Sequence, residues 1–440
     1  MKAEIFHSEL SGKITAPPSK SEAERFMITA FLAEYFCKKN KRITVKNVGS
    51  SDDVKAMKNV LEALGLKCGF TGSDFYADYY EERSFTEKDG FISADVYSSG
   101  ATLRFILPVI AALGKSARIY GDKTLLARPN DSLFTALSSA GIKIERKENH
   151  IELSGKISKA ELTIDRSLSS QYLSGLLFAA PLIAGSVKIK AVGKQSSGGY
   201  INMTIAALEN IGVTVTENSG IYTVKSDVND NNIPDELTVK GDYSGAAQFI
   251  LSGAKTITIE NLDKNSLQPD ASVIYAVKMF GLKAEWEENE VTVHNLSCDD
   301  INDKKGEPLE FFIDGSPDLA EIIAVASVIF NKNAIIYGTK RLRYKESDRI
   351  AAIKRLLTAA GIKTEVTDNS IAIHPSKPEP FIFDAGCDHR SVFAATILAA
   401  FVEGNYGEKS VIYGADAIKK SYPEFFNDFI KLGGNCRVDL

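Results

Sequence analysis

VLEALGLKC, residues 60–68, runs from the end of an apolar-periodic helix through Gly65 into the start of a strand. A glycine just past a helix supplies the left-handed residue that ends it. The same device returns as ALSSAGIKI (136–144), ALENIGVTV (207–215), AVKMFGLKA (276–284), LLTAAGIKT (356–364) and DFIKLGGNC (428–436). The six glycines, Gly65, Gly141, Gly212, Gly281, Gly361 and Gly433, lie about 70–80 residues apart. Solenoid repeats are shorter, roughly 20–50 residues. Each copy is therefore a small α/β module with room for its own layers.

Outward from each glycine the copies share one order. A polar or charged cap opens a strongly apolar helix, as in TLRFILPVIAALG, LAEIIAVASVIF and SVFAATILAAFV. A helix apolar nearly all round belongs inside a module. Short β-branched runs follow, among them RITVKNV, SVKIKAV and TITIENL. The second helix is amphipathic, as in DDVKAMKNVLEALG, and belongs on an outer layer. Strand pairs such as VTVTENSGIYTV close the copy. The module reads βαβαββ, and the expected fold class is α/β (α+β). Six copies in 440 residues divide into two domains of three. The polar stretch SDVNDNNIPDELTVKGD (226–242) marks the joint, and the opening strand KAEIFHSE is expected to cross to the second domain. The expected domains are 18–237, and 1–17 with 238–440.

The net charge of -5 argues against a nucleic-acid or membrane-surface protein, which needs a basic face. No apolar run is long enough to span a bilayer, and MKAEIFHSEL lacks the apolar stretch of a signal peptide. Cys37, Cys68, Cys298, Cys387 and Cys436 are scattered without CxxC spacing, so neither a zinc site nor a disulfide framework is expected. A reducing cytoplasm fits that usage.

Chemistry gathers at the helix starts. Ser19-Lys20-Ser21 with Arg25 opens the first copy, Ser98-Ser99-Gly100-Ala101-Thr102 with Arg104 the second, and Ser169-Ser170-Gln171 the third. Asp242, Asp318 and Asp388-His389-Arg390 open the others. Plain N-capping accounts for the Ser, Thr and Asp residues. It does not account for Lys20, Arg25 or Arg390, because a cation there opposes the helix macrodipole. The second helices add Arg128, Ser197 with Tyr200, Lys345-Glu346-Ser347-Asp348-Arg349 and Lys420. Read singly, Arg128 and Lys420 are surface charges and KESDR a solvated helix start. Taken together, so many cations with few carboxylates in an acidic protein imply a small polyanionic ligand.

PPSKSEAERF, SDDVKAM, SGATLR, LLARP, SSQYLSGLL, KGDYS, NSLQPD, SPDLAE, RYKESDR, CDHRS and KKSYPEFF occur in that order. On these motifs the chain resembles the 5-enolpyruvylshikimate-3-phosphate synthases (3-phosphoshikimate 1-carboxyvinyltransferases) over its whole length. KESDR followed by DHR is the most specific pair. The resemblance implies an inside-out α/β barrel in each domain, with the active site in the interdomain cleft. It implies transfer of the enolpyruvyl group of phosphoenolpyruvate to the 5-hydroxyl of shikimate 3-phosphate, without metal or organic cofactor. A monomer with small-molecule partners alone is expected.

The resemblance also implies roles. Lys20, Ser21, Arg25, Ser169, Ser170, Gln171, Ser197, Tyr200, Asp318 and Lys345 would hold shikimate 3-phosphate. Lys20, Gly100, Arg128, Gln171, Arg349, Arg390 and Lys420 would hold phosphoenolpyruvate. Asp318, Glu346, Lys20 and His389 would be catalytic. Departures from the family's common pattern stand at Ser98, Ala101, Phe105, Arg341 and Ser391-Val392-Phe393. The sister transferase acting on UDP-N-acetylglucosamine is a rival, but GDKTLLARP carries Lys123 near the place of its reactive cysteine. A non-catalytic anion binder on the same repeat would be expected to lack Lys20, Asp318 or Glu346, and all three are present.

Overall fold

A computed structural model describes residues 1–37, 41–79, 85, 87–183, 185–194, 197–229, 231–295, 307–403 and 407–439. Cys298 lies outside them. The chain forms two compact units, Pro18–Lys240, and Met1–Pro17 with Gly241–Leu440. Each has its own hydrophobic core, drawn from Ala23–Val239 in one and from Ala3–Ala16 and Tyr243–Leu432 in the other. No helix among the described residues is long and apolar enough to cross a membrane.

The repeated glycines end their helices as their sequence suggests. All six have positive φ, between 79° and 96°. At the first, Gly65 N–H donates to Glu62 O (2.9 Å) and Leu66 N–H to Leu61 O (3.0 Å). This is the Schellman closure, which satisfies carbonyls that the helix would otherwise leave bare.

Each unit contains three small sheets among the described residues. Five follow one order, a parallel edge pair and then two antiparallel pairings; the sixth adds Glu87–Lys88 antiparallel outside its parallel pair, Phe91–Asp95 with Ala117–Tyr120. In Pro18–Lys240 the third sheet runs Glu161–Asp165, Val187–Val192, Ile221–Ser226, Val213–Asn218. Alternation places Val187, Ile189 and Ala191 inward and leaves Lys188 and Lys190 in solvent. The first sheet takes its parallel edge from Glu236–Thr238, where Leu237 lies opposite Val45. That pairing holds the chain in this unit through Lys240, a few residues past the boundary expected at 237.

In the other unit the N-terminal segment fills two sheets. Lys2–Phe6 lies between Ser410–Tyr413 and Asn435–Asp439, antiparallel to both. Gly12–Thr15 runs parallel to Thr256–Glu260.

The apolar helices are central in their units. Every residue of Ala320–Ile329 is buried, as is His389–Ala400. The amphipathic helix Asp52–Ala63 buries Val54, Met57, Val60 and Leu61 and leaves Lys55 and Glu62 exposed. Gly175 sets the approach of helix Ser170–Ala179 to helix Gly100–Leu113. A Cβ added there would stand 2.2 Å from Arg104 O. Gly175→Ala must push the two helices apart, and overpacking of this kind typically costs about 1–3 kcal/mol. The expected result is a lower urea midpoint with unchanged far-UV circular dichroism.

Candidate active site

Within Pro18–Lys240 the candidates gather at helix starts. Lys20 is the first residue of helix Lys20–Phe36, and its Nζ donates to Asp53 Oδ2 at 2.8 Å. Asp53 sits in the first turn of helix Asp52–Ala63 and is buried. Arg25, 2% exposed, donates to Ser21 O (2.6 Å), Tyr200 O (3.1 Å) and Thr204 Oγ1 (3.0 Å). Phe105 lies under its guanidinium at 5.1 Å, so this departure forms a cation–π floor. Burial pushes the Arg25 guanidinium down to about 10, still charged at neutral pH.

A second set follows the start of helix Gly100–Leu113. A methyl group added at Gly100 would lie 3.2 Å from Arg128 Nη1 and 3.5 Å from Arg104 Nη1. Arg104 donates to Asn130 Oδ1 (3.0 Å) and Gln171 Oε1 (2.7 Å), and Asn130 donates to Arg128 O (3.3 Å). Gly100, Arg128 and Gln171 are thus joined through Arg104 and Asn130. Ser169 caps helix Ser170–Ala179 by accepting from Gln171 N–H (3.2 Å). Ser170 is buried in that helix's first turn. Ser197 does not cap helix Gly198–Glu209: it is 5% exposed, in the left-handed region at φ 54°.

Within Gly241–Leu440 the candidates form one network around Arg349, which is 1% exposed. Its Nη1 meets Asp318 Oδ1 (2.6 Å), its Nη2 meets Glu346 Oε2 (3.0 Å), and its Nε meets Asp388 Oδ2 (2.9 Å). Glu321 Oε1 stands 3.7 Å from Nε. Asp318 is also reached by Lys345 Nζ (3.4 Å) and Arg390 Nη2 (3.4 Å). Arg390 Nη2 also donates to Ser244 Oγ. Lys420 Nζ lies 3.7 Å from Glu346 Oε1. His389 is 2% exposed, with Nδ1 3.9 Å from Asp388 Oδ1 and its ring edge-on to Phe393.

Asp318 corrects the sequence reading in one respect. It does not cap helix Ala320–Ile329 but lies within the preceding 3₁₀ turn, Pro317–Leu319. The turn frees its carboxylate for the cations. Asp348 and Asp388 are the caps, accepting from Ala351 N–H (3.0 Å) and Arg390 N–H (3.0 Å). A carboxylate cap at Asp388 gives Arg390, at the second position of its helix, a local counter-charge.

The charges fit together unevenly. Burial alone would raise the Asp318 carboxyl, but Lys345, Arg349 and Arg390 together hold it well below the usual range. Burial lowers Lys345 despite Asp318. Burial works against the charge of Arg349, yet Asp388, Asp318, Glu346 and Glu321 hold it well above its ordinary value. Glu321 is pushed up to about 8 by burial and by Asp388. Four cations (Lys345, Arg349, Arg390, Lys420) therefore face three carboxylates (Asp318, Glu346, Asp388) plus a Glu321 that is mostly protonated near neutrality.

Asp53, Arg104, Asn130, Glu321 and Asp388 complete these clusters but were not singled out as site residues from the sequence. In the sequence Asp53 lies within the motif SDDVKAM with nothing to mark it, and for Asp388, which opens a helix in CDHRS, capping is sufficient explanation.

The sequence profile described as EPSP synthase (3-phosphoshikimate 1-carboxyvinyltransferase) matches residues 6–429. The chain belongs to the EPSP synthase family. It is 30% identical to the 3-phosphoshikimate 1-carboxyvinyltransferase of Clostridium novyi, covering 98% of this chain and 97% of that one. It is 31% identical to the enzyme of that name from Saccharolobus solfataricus, with both chains fully covered. Among solved structures, EPSP synthase from Acinetobacter baumannii superposes with a TM-score of 0.76 at 18% identity over both whole chains. The enolpyruvyl transferase NikO from Streptomyces tendae gives 0.73 at 17%, covering 99% and 98% of the two chains. At those identities the structural matches speak to the mixed α/β fold. For this EPSP synthase family member, the departure at Arg341 is also placed: its Nη2 donates to Asp314 O.

Proposed function

We propose that the two clusters divide the labour of the family's reaction. That reaction transfers the enolpyruvyl group of phosphoenolpyruvate to the 5-hydroxyl of shikimate 3-phosphate and releases phosphate, on the route to chorismate and the aromatic amino acids. The single observation that carries the division is the convergence of Lys345, Arg349 and Arg390 on Asp318, with Lys420 beside Glu346. Such a network suits a ligand with both carboxylate and phosphate. Three βαβαββ units in each domain, arranged as an inside-out barrel with the substrates taken up in the interdomain cleft, complete the reading.

Arg349, Arg390, Lys420, Arg128 and Gly100 hold phosphoenolpyruvate in this scheme. Ser21, Arg25, Gln171, Tyr200 and Lys345 hold shikimate 3-phosphate. Its phosphate meets Ser169, Ser170 and Ser197 at two helix N-termini, where backbone N–H groups favour an anion. Gln171 and Lys20 serve both substrates.

The chemistry is an addition followed by an elimination. The 5-oxygen bonds to C2 of phosphoenolpyruvate, its proton passes to Asp318, and C3 takes a proton from Glu346 to become a methyl group. The tetrahedral intermediate then returns a C3 proton to Glu346. The C2–O bond to phosphate breaks, and Lys20 supports the leaving group. Asp318 is a weak base while three cations hold it. Anions that engage Arg349 and Arg390 relax that hold and raise its basicity. His389, buried beside Asp388, acts in support of Arg390 and Arg349. No cofactor enters the scheme.

The test is phosphate release. The wild type is expected to release phosphate from phosphoenolpyruvate with shikimate 3-phosphate and not with UDP-N-acetylglucosamine. Lys20→Ala is expected to lower turnover by about 10²-fold or more. Release with the nucleotide sugar alone overturns the substrate assignment, and near-normal turnover of Lys20→Ala overturns the role of Lys20.

A further inference from the structure

Glu24 has no part in the scheme above, yet it is enclosed between its two halves of chemistry in Pro18–Lys240. It stands one helical turn after Lys20 and is 1% exposed. Its Oε1 accepts from Ser99 Oγ and Thr102 Oγ1, both at 3.1 Å. The two hydroxyl oxygens are 2.9 Å apart, so Ser99 Oγ–H has Thr102 Oγ1 as an alternative acceptor, and Ser99 Oγ accepts from Thr102 N–H (3.3 Å) to cap helix Gly100–Leu113. The charged groups around Glu24 are Lys20 and Arg25 on its own helix and Asp53 on helix Asp52–Ala63; helix Gly100–Leu113 offers the two hydroxyls.

One carboxyl therefore ties the helix that begins at Lys20 to the turn that contains Gly100. That turn is pressed against Arg128 and Arg104, so its position sets where Gly100 N–H and Arg128 can meet a shared anion. A purely structural link would need no charge, since an amide makes the same two bonds. Burial first, then Asp53, push the Glu24 carboxyl up to about 7, against the pull of Lys20, Arg25 and Thr102. Its charge is thus balanced near neutrality and sensitive to whatever Lys20 faces.

We propose that Glu24 is a positioning residue for phosphoenolpyruvate, fixing the Ser99–Thr102 turn so that Gly100 sits against Arg128, and taking up a proton when an anion binds beside Lys20. The inference rests on the reading that Lys20, Gly100 and Arg128 hold phosphoenolpyruvate. The sign follows from the neighbours. An anion at Lys20 cancels the charge that favours ionised Glu24, so binding raises its proton affinity. Uptake is largest just above neutral pH. It vanishes at pH 5.5, where Glu24 already holds its proton, and fades at pH 9, where it stays ionised.

The experiment has two readouts. Titration calorimetry of phosphoenolpyruvate with shikimate 3-phosphate present, at pH 7.5 in buffers of different ionisation enthalpy, counts protons taken up. Steady-state kinetics gives KM for phosphoenolpyruvate and kcat. Glu24→Gln is expected to keep KM within about threefold and to lose a substantial fraction of one proton of uptake relative to wild type. Glu24→Ala, and separately the double variant Ser99→Ala with Thr102→Ala, are expected to raise that KM roughly tenfold with kcat less affected. The double variant keeps the carboxyl but loses the Thr102 bond that favours its charged form, so uptake persists with its maximum moved to higher pH. Wild-type KM in both truncated proteins, or wild-type uptake in Glu24→Gln, overturns the proposal. A wild type that releases no phosphate overturns the functional reading itself, and the inference with it.

Discussion

Glu346→Gln is expected to turn over about 10²–10⁴-fold more slowly than the wild type, with the fold intact. Glutamine keeps the size of the side chain and an oxygen that can accept from Arg349 Nη2, now 3.0 Å from Glu346 Oε2. What it removes is the group that can give a proton to C3 and take one back. KM for phosphoenolpyruvate should move far less than kcat, because the cations that grip the anion remain. A direct measurement is deuterium entry at C3 of phosphoenolpyruvate in heavy water, followed by NMR. The wild type should exchange during turnover and Glu346→Gln should not. Turnover within about threefold of wild type would remove Glu346 from the proton path and leave Lys20 or Asp318 as the C3 acid.

Arg349→Ala is expected to lose stability as well as activity. Among the described residues its guanidinium is the only Lys or Arg group within 4 Å of the Asp388 and Glu321 carboxyl oxygens. Asp388 is fully enclosed and Glu321 is 3% exposed. Removing one partner of a buried ion pair leaves charge without compensation and costs about 3–5 kcal/mol. Urea titration should show that loss in Arg349→Ala. Arg349→Lys should recover part of it, since an ammonium restores charge but cannot fork across Asp318, Glu346 and Asp388. Both variants should lose phosphoenolpyruvate affinity. Wild-type stability in Arg349→Ala would mean that the carboxyls around it are held by protonation and not by the guanidinium.

Much of the scaffold is legible in the sequence because its signals are local. A glycine after a helix, an all-apolar helix and an alternating strand are each read from neighbouring residues, and Gly65, Ala320–Ile329 and Val187–Val192 behave as those patterns require. Pairings made across the fold are different. Lys20 with Asp53, Arg104 with Gln171 and Arg349 with Asp388 join residues dozens of positions apart. No spacing rule connects them. Asp318 shows a subtler limit: Ser-Pro-Asp before an apolar run reads as a cap, and only the 3₁₀ turn reveals a carboxylate turned to other partners. Glu24 is hidden for a related reason: one turn into its helix it reads as an ordinary helix glutamate, and only the fold brings the Ser99 and Thr102 hydroxyls to it.

Lys2–Phe6 closes a sheet between Ser410–Tyr413 and Asn435–Asp439. During synthesis, then, Lys2–Phe6 must wait for partners translated roughly 400 or more residues later. At typical elongation rates of about 5–20 residues per second that is roughly 20–80 seconds. The contiguous segment Pro18–Lys240 can finish folding on the ribosome in the meantime. Lys2–Phe6 cannot, and it spends the interval with both of its pairing sides unsatisfied.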